Sequence, residues 1–236
     1  LESRVAAMYT YIQITQKEGT ANLLKLVDDE QMKEYAIRAL ADRKAIAKEL
    51  PTSPFVSALQ HPSERIQAAS IIALGRIGKQ EAIQALLDVK VPASFVAPTK
   101  GTEGPHATPN APIILPHLAV KALVELQAVD ACVAAIGAKQ STIALWALRY
   151  MHDKRAVAGL INAYQKTSDE SLQQDIITTL GRLYNQESPY DASWWWGTRP
   201  DTRGPYYKPT TWASSPTIKE FILKEATKPG ANQDFF

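Results

Sequence analysis

Five segments of this chain carry the same apolar pattern around a leucine: EYAIRALAD (34–42), AASIIALGRIG (68–78), LAVKALVEL (118–126), IALWALRYMHD (143–153) and DIITTLGRL (175–183). Aligned on Leu40, Leu74, Leu123, Leu148 and Leu180, they lie 34, 49, 25 and 32 residues apart. A spacing of about 30 residues is one helix pair per repeat, and self-similarity at such a period constrains a fold more tightly than composition does. The 49-residue gap is then one repeat plus roughly 20 extra residues. The extras are visible at Val91–Pro116, where six prolines and two glycines forbid a helix and predict a long loop between the two helices of one repeat.

Each repeat predicts a second helix whose apolar residues recur at offsets that mark one helix face. Over 63–77 these are Ile66, Ala69, Ala73, Leu74 and Ile77, with Ile71 and Ile72 widening the stripe. Over 172–184 they are Leu172, Ile176, Ile177, Leu180, Leu183 and Tyr184. Alanines such as Ala69, Ala73, Ala119 and Ala122 let neighbouring helices approach closely, and Gly78 makes the turn into the next helix at Lys79 or Gln80. Ser53-Pro54 and Ser215-Pro216 read as helix starts, with serine as N-cap and proline at the first helical position. Asp153 is placed to cap a helix over 154–166, and Ser168 or Asp169 the one that follows. The expected fold is all-α, an α-solenoid of antiparallel helix pairs over residues 1–188, with the insert at 91–116 and an irregular aromatic tail over 189–236. An ordinary helix bundle is the alternative. The joint recurrence of pairs, turns and caps favours stacking.

The charge balance narrows the function. Twenty-six basic residues against 24 acidic ones leave a net charge of +2, which gives no general electrostatic footprint for nucleic acid. No apolar run is long enough to span a membrane. The single cysteine, Cys132, excludes an intramolecular disulfide and a multi-thiolate metal site. It lies with Val129, Val133 and Ile136 on one apolar face and reads as a small core residue, not a nucleophile. The four histidines are scattered: His61 opens a helix, His106 lies in the insert, His117 starts a helix and His152 ends one. No Gly-rich phosphate loop, no Gly-x-Ser-x-Gly elbow and no paired His-Glu motif is present, so no catalytic residue, metal site or cofactor is expected. The chain starts at Leu1, and we expect it to be part of a longer protein.

The stretch HPSERIQAASIIALGRIGKQEAIQALL (61–87) resembles the short HEAT-like repeat, including the variant named from phycobilisome lyases, and the likeness extends over about residues 18–186. The family's usual Asp-Pro at the helix start is His61-Pro62 here, and the later repeats are more degenerate. This resemblance implies a helical stack that serves as a scaffold. It is nearly silent on the partner, because one repeat fold hosts many functions. A second likeness is carried by SWWWGTRPDTRGPYYKPTTW (193–212), which resembles a segment of large exported planctomycete-type proteins combining a sugar-dehydrogenase-like propeller, HEAT repeats and a c-type cytochrome domain. It implies a periplasmic or otherwise exported multidomain parent, with oxidoreductase chemistry elsewhere in that parent. The haem signature Cys-x-x-Cys-His is absent from this chain.

Candidate binding residues cluster in that same tail: Trp194, Trp195, Trp196, Arg199, Asp201, Arg203, Tyr206, Tyr207 and Trp212. Aromatic faces interleaved with guanidinium forks are the chemistry of carbohydrate or peptide recognition. The competing reading is that the tryptophans cover the apolar end of the helix stack, as the last repeat of such an array requires. The leading functional expectation is a non-catalytic scaffold that binds a protein partner or positions adjoining domains. A carbohydrate-binding tail is the alternative. A HEAT-type DNA glycosylase is a further one, disfavoured because it needs a basic concave face that this charge balance does not supply.

Overall fold

A computed structural model describes residues 1–92, 113–189 and 208–228. Helix dominates them, and the chain divides into two compact units. Unit 1 holds α1 (Glu2–Thr15), α2 (Thr20–Leu26), α3 (Lys33–Ala41), α4 (Lys44–Ala47), α5 (Ser53–Ala58), α6 (Glu64–Ile77), α7 (Ile83–Leu87) and α8 (Ile114–Glu125). Unit 2 holds α9 (Val129–Ala134), α10 (Ser141–Leu148), α11 (Lys154–Lys166), α12 (Glu170–Leu183), β1 (Asn185–Glu187), β2 (Pro209–Thr211) and α13 (Ser215–Ala226). The two strands form a short antiparallel ribbon that pairs Asn185 with Thr211 and Glu187 with Pro209. Nothing in the apolar pattern marks it.

In unit 1 the helices pair as α2 with α3, α5 with α6 and α7 with α8. The second members, α3, α6 and α8, lie side by side, and α6 has its most extensive contacts with α8 and α3. In unit 2, α9 pairs with α10 and α11 with α12, while α12 touches both α10 and α13. All five leucines of the series are 2% exposed or less, and each sits in the second helix of its pair. Polar contacts repeat the same spacing. Arg65 pairs with Glu34 at 3.0 Å, His61 with Glu30 at 3.0 Å and Arg76 with Asp42 at 2.8 Å, residues 31, 31 and 34 apart in sequence. Within unit 2, Arg149 lies 3.5 Å from Thr179, again 30 residues on. The sequence period therefore returns as spatial neighbours, as it does when successive repeats pack on one another.

Helix ends agree with the sequence in part. Asp153 accepts from Arg155 N–H and caps α11, and Asp169 accepts from Ser171 and Leu172 N–H and caps α12. Gly78 ends α6 at φ 73°, its N–H bonded to Leu74 O at 3.1 Å, a conformation that glycine enters without a Cβ penalty. The serine caps need correction. Thr52, not Ser53, precedes α5, and its hydroxyl donates to Glu81 at 2.5 Å instead of capping the helix. Ser214 precedes α13, and Ser215 turns its hydroxyl towards Tyr184 O. In both helices proline falls within the first two positions, where its missing N–H removes no intrahelical bond, so Pro54 and Pro216 fit one residue deeper than expected.

Other boundaries shift by similar margins. α8 begins at Ile114, so the last three residues of the expected insert are helical, with Pro116 buried in the first turn where helix N–H groups have no partner. Residues 93–112 of the insert lie outside the described residues. Tyr184 falls just beyond α12. His61 sits in the turn ahead of α6, its Nδ1 accepting from Ser63 N–H, while His117 lies inside α8 and His152 lies in the loop between α10 and α11.

Two glycines in unit 2 separate close packing from open space. A Cβ on Gly159 of α11 would overlap both γ-methyls of Val133 on α9 and sit 3.1 Å from its Cβ, whereas a Cβ on Gly181 of α12 meets nothing within 4 Å. Gly159→Ala is therefore expected to destabilise the fold by about 1–3 kcal/mol despite its gain in helix propensity. Gly181→Ala is expected to stabilise it by about 0.5–1 kcal/mol. Urea titrations of the two variants check this, and adding Val133→Ala to the first should recover much of the loss.

Candidate functional site

Of the nine tail residues singled out by sequence, Trp212 lies among the described residues; Trp194, Trp195, Trp196, Arg199, Asp201, Arg203, Tyr206 and Tyr207 lie outside them. Trp212 follows β2 directly and is half-buried. Its indole Nε1–H donates to Leu183 O at 2.6 Å, one of the carbonyls left without an intrahelical partner at the end of α12. Its backbone N–H donates to Ser215 Oγ at 2.9 Å, and the Ser215 hydroxyl donates to Tyr184 O at 2.6 Å. The indole meets the His152 ring edge-to-face at 5.4 Å, and His152 Nε2 lies 2.9 Å from Asn185 O, which requires the proton on that nitrogen. Trp212 and Ser215 thus supply from the tail the donors that the end of α12 needs.

The terminal helix completes this arrangement. Ile218 and Phe221 are buried on α13, and the Phe221 ring meets Tyr164 of α11 edge-to-face at 5.2 Å. Ile222 is half-buried on the same helix, and Glu225, which no apolar pattern marks, is buried and paired with Lys228 at 2.6 Å. Burial, and then the Glu225 carboxylate, push the Tyr164 phenol above its usual range.

A second feature lies in unit 1. Between α6 and α8 runs an open groove of about 550 Å³ lined by Lys48, Ile72, Arg76, Leu118, Lys121 and Glu125, with Gly75 and Ala122 in its floor. Small residues set its depth: a Cβ on Gly75 would stand 3.1 Å from the Ala122 Cβ. Ile72, expected to widen the core stripe, is 38% exposed at this groove, while Ile71, which also lines it, is buried. The helical turn of about 100° per residue sets the two side chains at different depths. The Arg76 guanidinium is held on the rim by Asp42 at 2.8 Å and by Ala41 O at 3.3 Å.

Residues 20–94 match the family model for HEAT repeats. The matched stretch runs from α2 past the end of α7 and so takes in most of unit 1, within the longer span of likeness read from sequence. It supports a HEAT-like repeat family for this chain. No curated protein matches it. HEAT repeats commonly serve as protein-interaction scaffolds. Among the described residues, no group of three or more His, Cys, Asp or Glu is placed to hold a metal ion, and no helix is long and apolar enough to cross a membrane.

Cys132 is fully buried in α9, and burial pushes its thiol up to about 12. At about pH 8 the thiolate is therefore scarce, and thiol-disulfide reagents should label the native protein at least about a hundredfold more slowly than an exposed cysteine. Labelling with Ellman's reagent, with and without denaturing guanidinium, checks it; fast labelling of the folded chain would contradict the packing.

Proposed function

We infer that this chain is a scaffolding segment of a larger multidomain protein, a solenoid of HEAT-like helix pairs whose face along α3, α6 and α8 holds a protein partner or an adjoining domain. The observation that carries this reading is the groove between α6 and α8. Its floor is apolar and small, its rim is charged, and the large apolar residue Ile72 is left exposed at its edge. Helices packed through a buried leucine series form a stiff surface, so a partner that docks there orders little of the scaffold. An exported location and a cytochrome-bearing parent belong to the same proposal and rest on the tail's likeness alone. Carbohydrate recognition would rest on tail residues outside those described. Trp212 itself spends its one indole donor on Leu183 O.

A photo-crosslinking amino acid at position 72 tests the reading, with the same group at exposed Gln127 as control. Crosslinks at 72 to one defined polypeptide, competed away by excess unlabelled parent chain but not by the unlabelled Ile72→Arg variant, are the expected result. Equal crosslinking from both positions would overturn it.

A further inference from the structure

The groove between α6 and α8 also carries information about the chemistry of what it binds. Three cations line it, Lys48, Arg76 and Lys121, against one carboxylate, Glu125. Arg76 is paired with Asp42, so Lys48 and Lys121 carry the groove's remaining positive charge. Lys48 and Lys121 are both exposed, and among the described residues neither enters an ion pair. They come from different elements, Lys48 from the segment after α4 and Lys121 from α8, with Ile72 and Leu118 supplying the apolar part of the lining.

We propose that the occupant of this groove is an acidic polypeptide segment that seats an apolar side chain against Ile72 and Leu118 and sets carboxylates against Lys48 and Lys121. The inference rests on the scaffold reading above and specifies its partner. Charge complementarity of this kind steers encounter and rejects basic partners, while the apolar contact holds the complex once formed. A nucleic acid fits less well. Phosphate backbones are held by many cations along a track, and this groove offers three around an apolar floor.

The experiment is selection of a random sixteen-residue peptide library, displayed on phage, against the intact chain, with K48E/K121E as the comparison protein. Both substitutions fall on exposed side chains, so the double variant should keep the helical circular dichroism and melting temperature of the parent. Enriched peptides should be net acidic around a leucine, isoleucine or phenylalanine, and their affinity should fall at least about tenfold in the double variant. Their association rate should also fall as salt rises through the physiological range, where screening shortens to about 8 Å. Enrichment of neutral or basic peptides, equal binding to the double variant, or no enrichment at all would overturn the proposal. So would tight binding of a thymidine oligonucleotide in place of any peptide. If the crosslink at position 72 still captures its partner in K48E/K121E, the scaffold reading stands and the acidic-partner inference alone fails.

Discussion

Leu74→Ala should destabilise the protein by about 3–5 kcal/mol, the range for a large aliphatic side chain removed from a core that cannot collapse around the cavity. Leu74 is 0% exposed on α6, the helix whose packing on α3 and α8 joins the repeats of unit 1. Two residues earlier, Ile72→Ala removes a side chain that is 38% exposed. It should cost less, about 1–2 kcal/mol, because part of its surface already lies in water and no closed cavity is left behind. The pair is informative because both residues lie on one helix and differ only in which side of it they occupy. Guanidinium denaturation of the two variants measures the difference, and equal losses would mean that α6 is not packed as described.

Trp212→Ala should cost about 2–3 kcal/mol, less than the full-burial range because the ring is half-buried. Three things are lost together: apolar contact, the edge-to-face meeting with His152, and the indole donor to Leu183 O. Trp212→Phe keeps most of the first two and should cost about 1 kcal/mol, the usual penalty for leaving one acceptor without its donor. Ser215→Ala removes the neighbouring donor to Tyr184 O and should add a loss of similar size. Thermal melts of the three variants establish whether the tail closes the end of α12 through these groups. Melting temperatures unchanged in all three would leave the tail without a structural task at that point.

What could be read from the sequence was the part that depends on periodicity. Leu40, Leu74, Leu123, Leu148 and Leu180 are all buried in second helices because a wide apolar stripe leaves a helix little choice of which face to hide. The caps at Asp153 and Asp169 were legible because a carboxylate ahead of a helical stripe has a local task that needs no tertiary information. Ser53 and Ser215 have the same local appearance, yet tertiary neighbours decide their surroundings: Glu81 takes the Thr52 hydroxyl and Tyr184 O takes that of Ser215. The ribbon of β1 and β2 was invisible, since three polar residues such as Asn185–Glu187 carry no alternating pattern. The groove was hidden for a related reason. Its members Lys48, Ile72, Leu118 and Lys121 come from three parts of the chain, and the packing of α6 on both α4 and α8 brings them together, with Gly75 and Ala122 at the close approach of α6 to α8.

The most direct test of the scaffold account is amide hydrogen exchange of the full chain, alone and with the polypeptide captured at position 72. The account predicts slowed exchange in peptides from α6 and α8, over 64–77 and 114–125, with α11 and its neighbours in unit 2 unchanged. Protection confined to peptides from 190–212, with α6 and α8 unaffected, would contradict it and move the binding site to the aromatic tail.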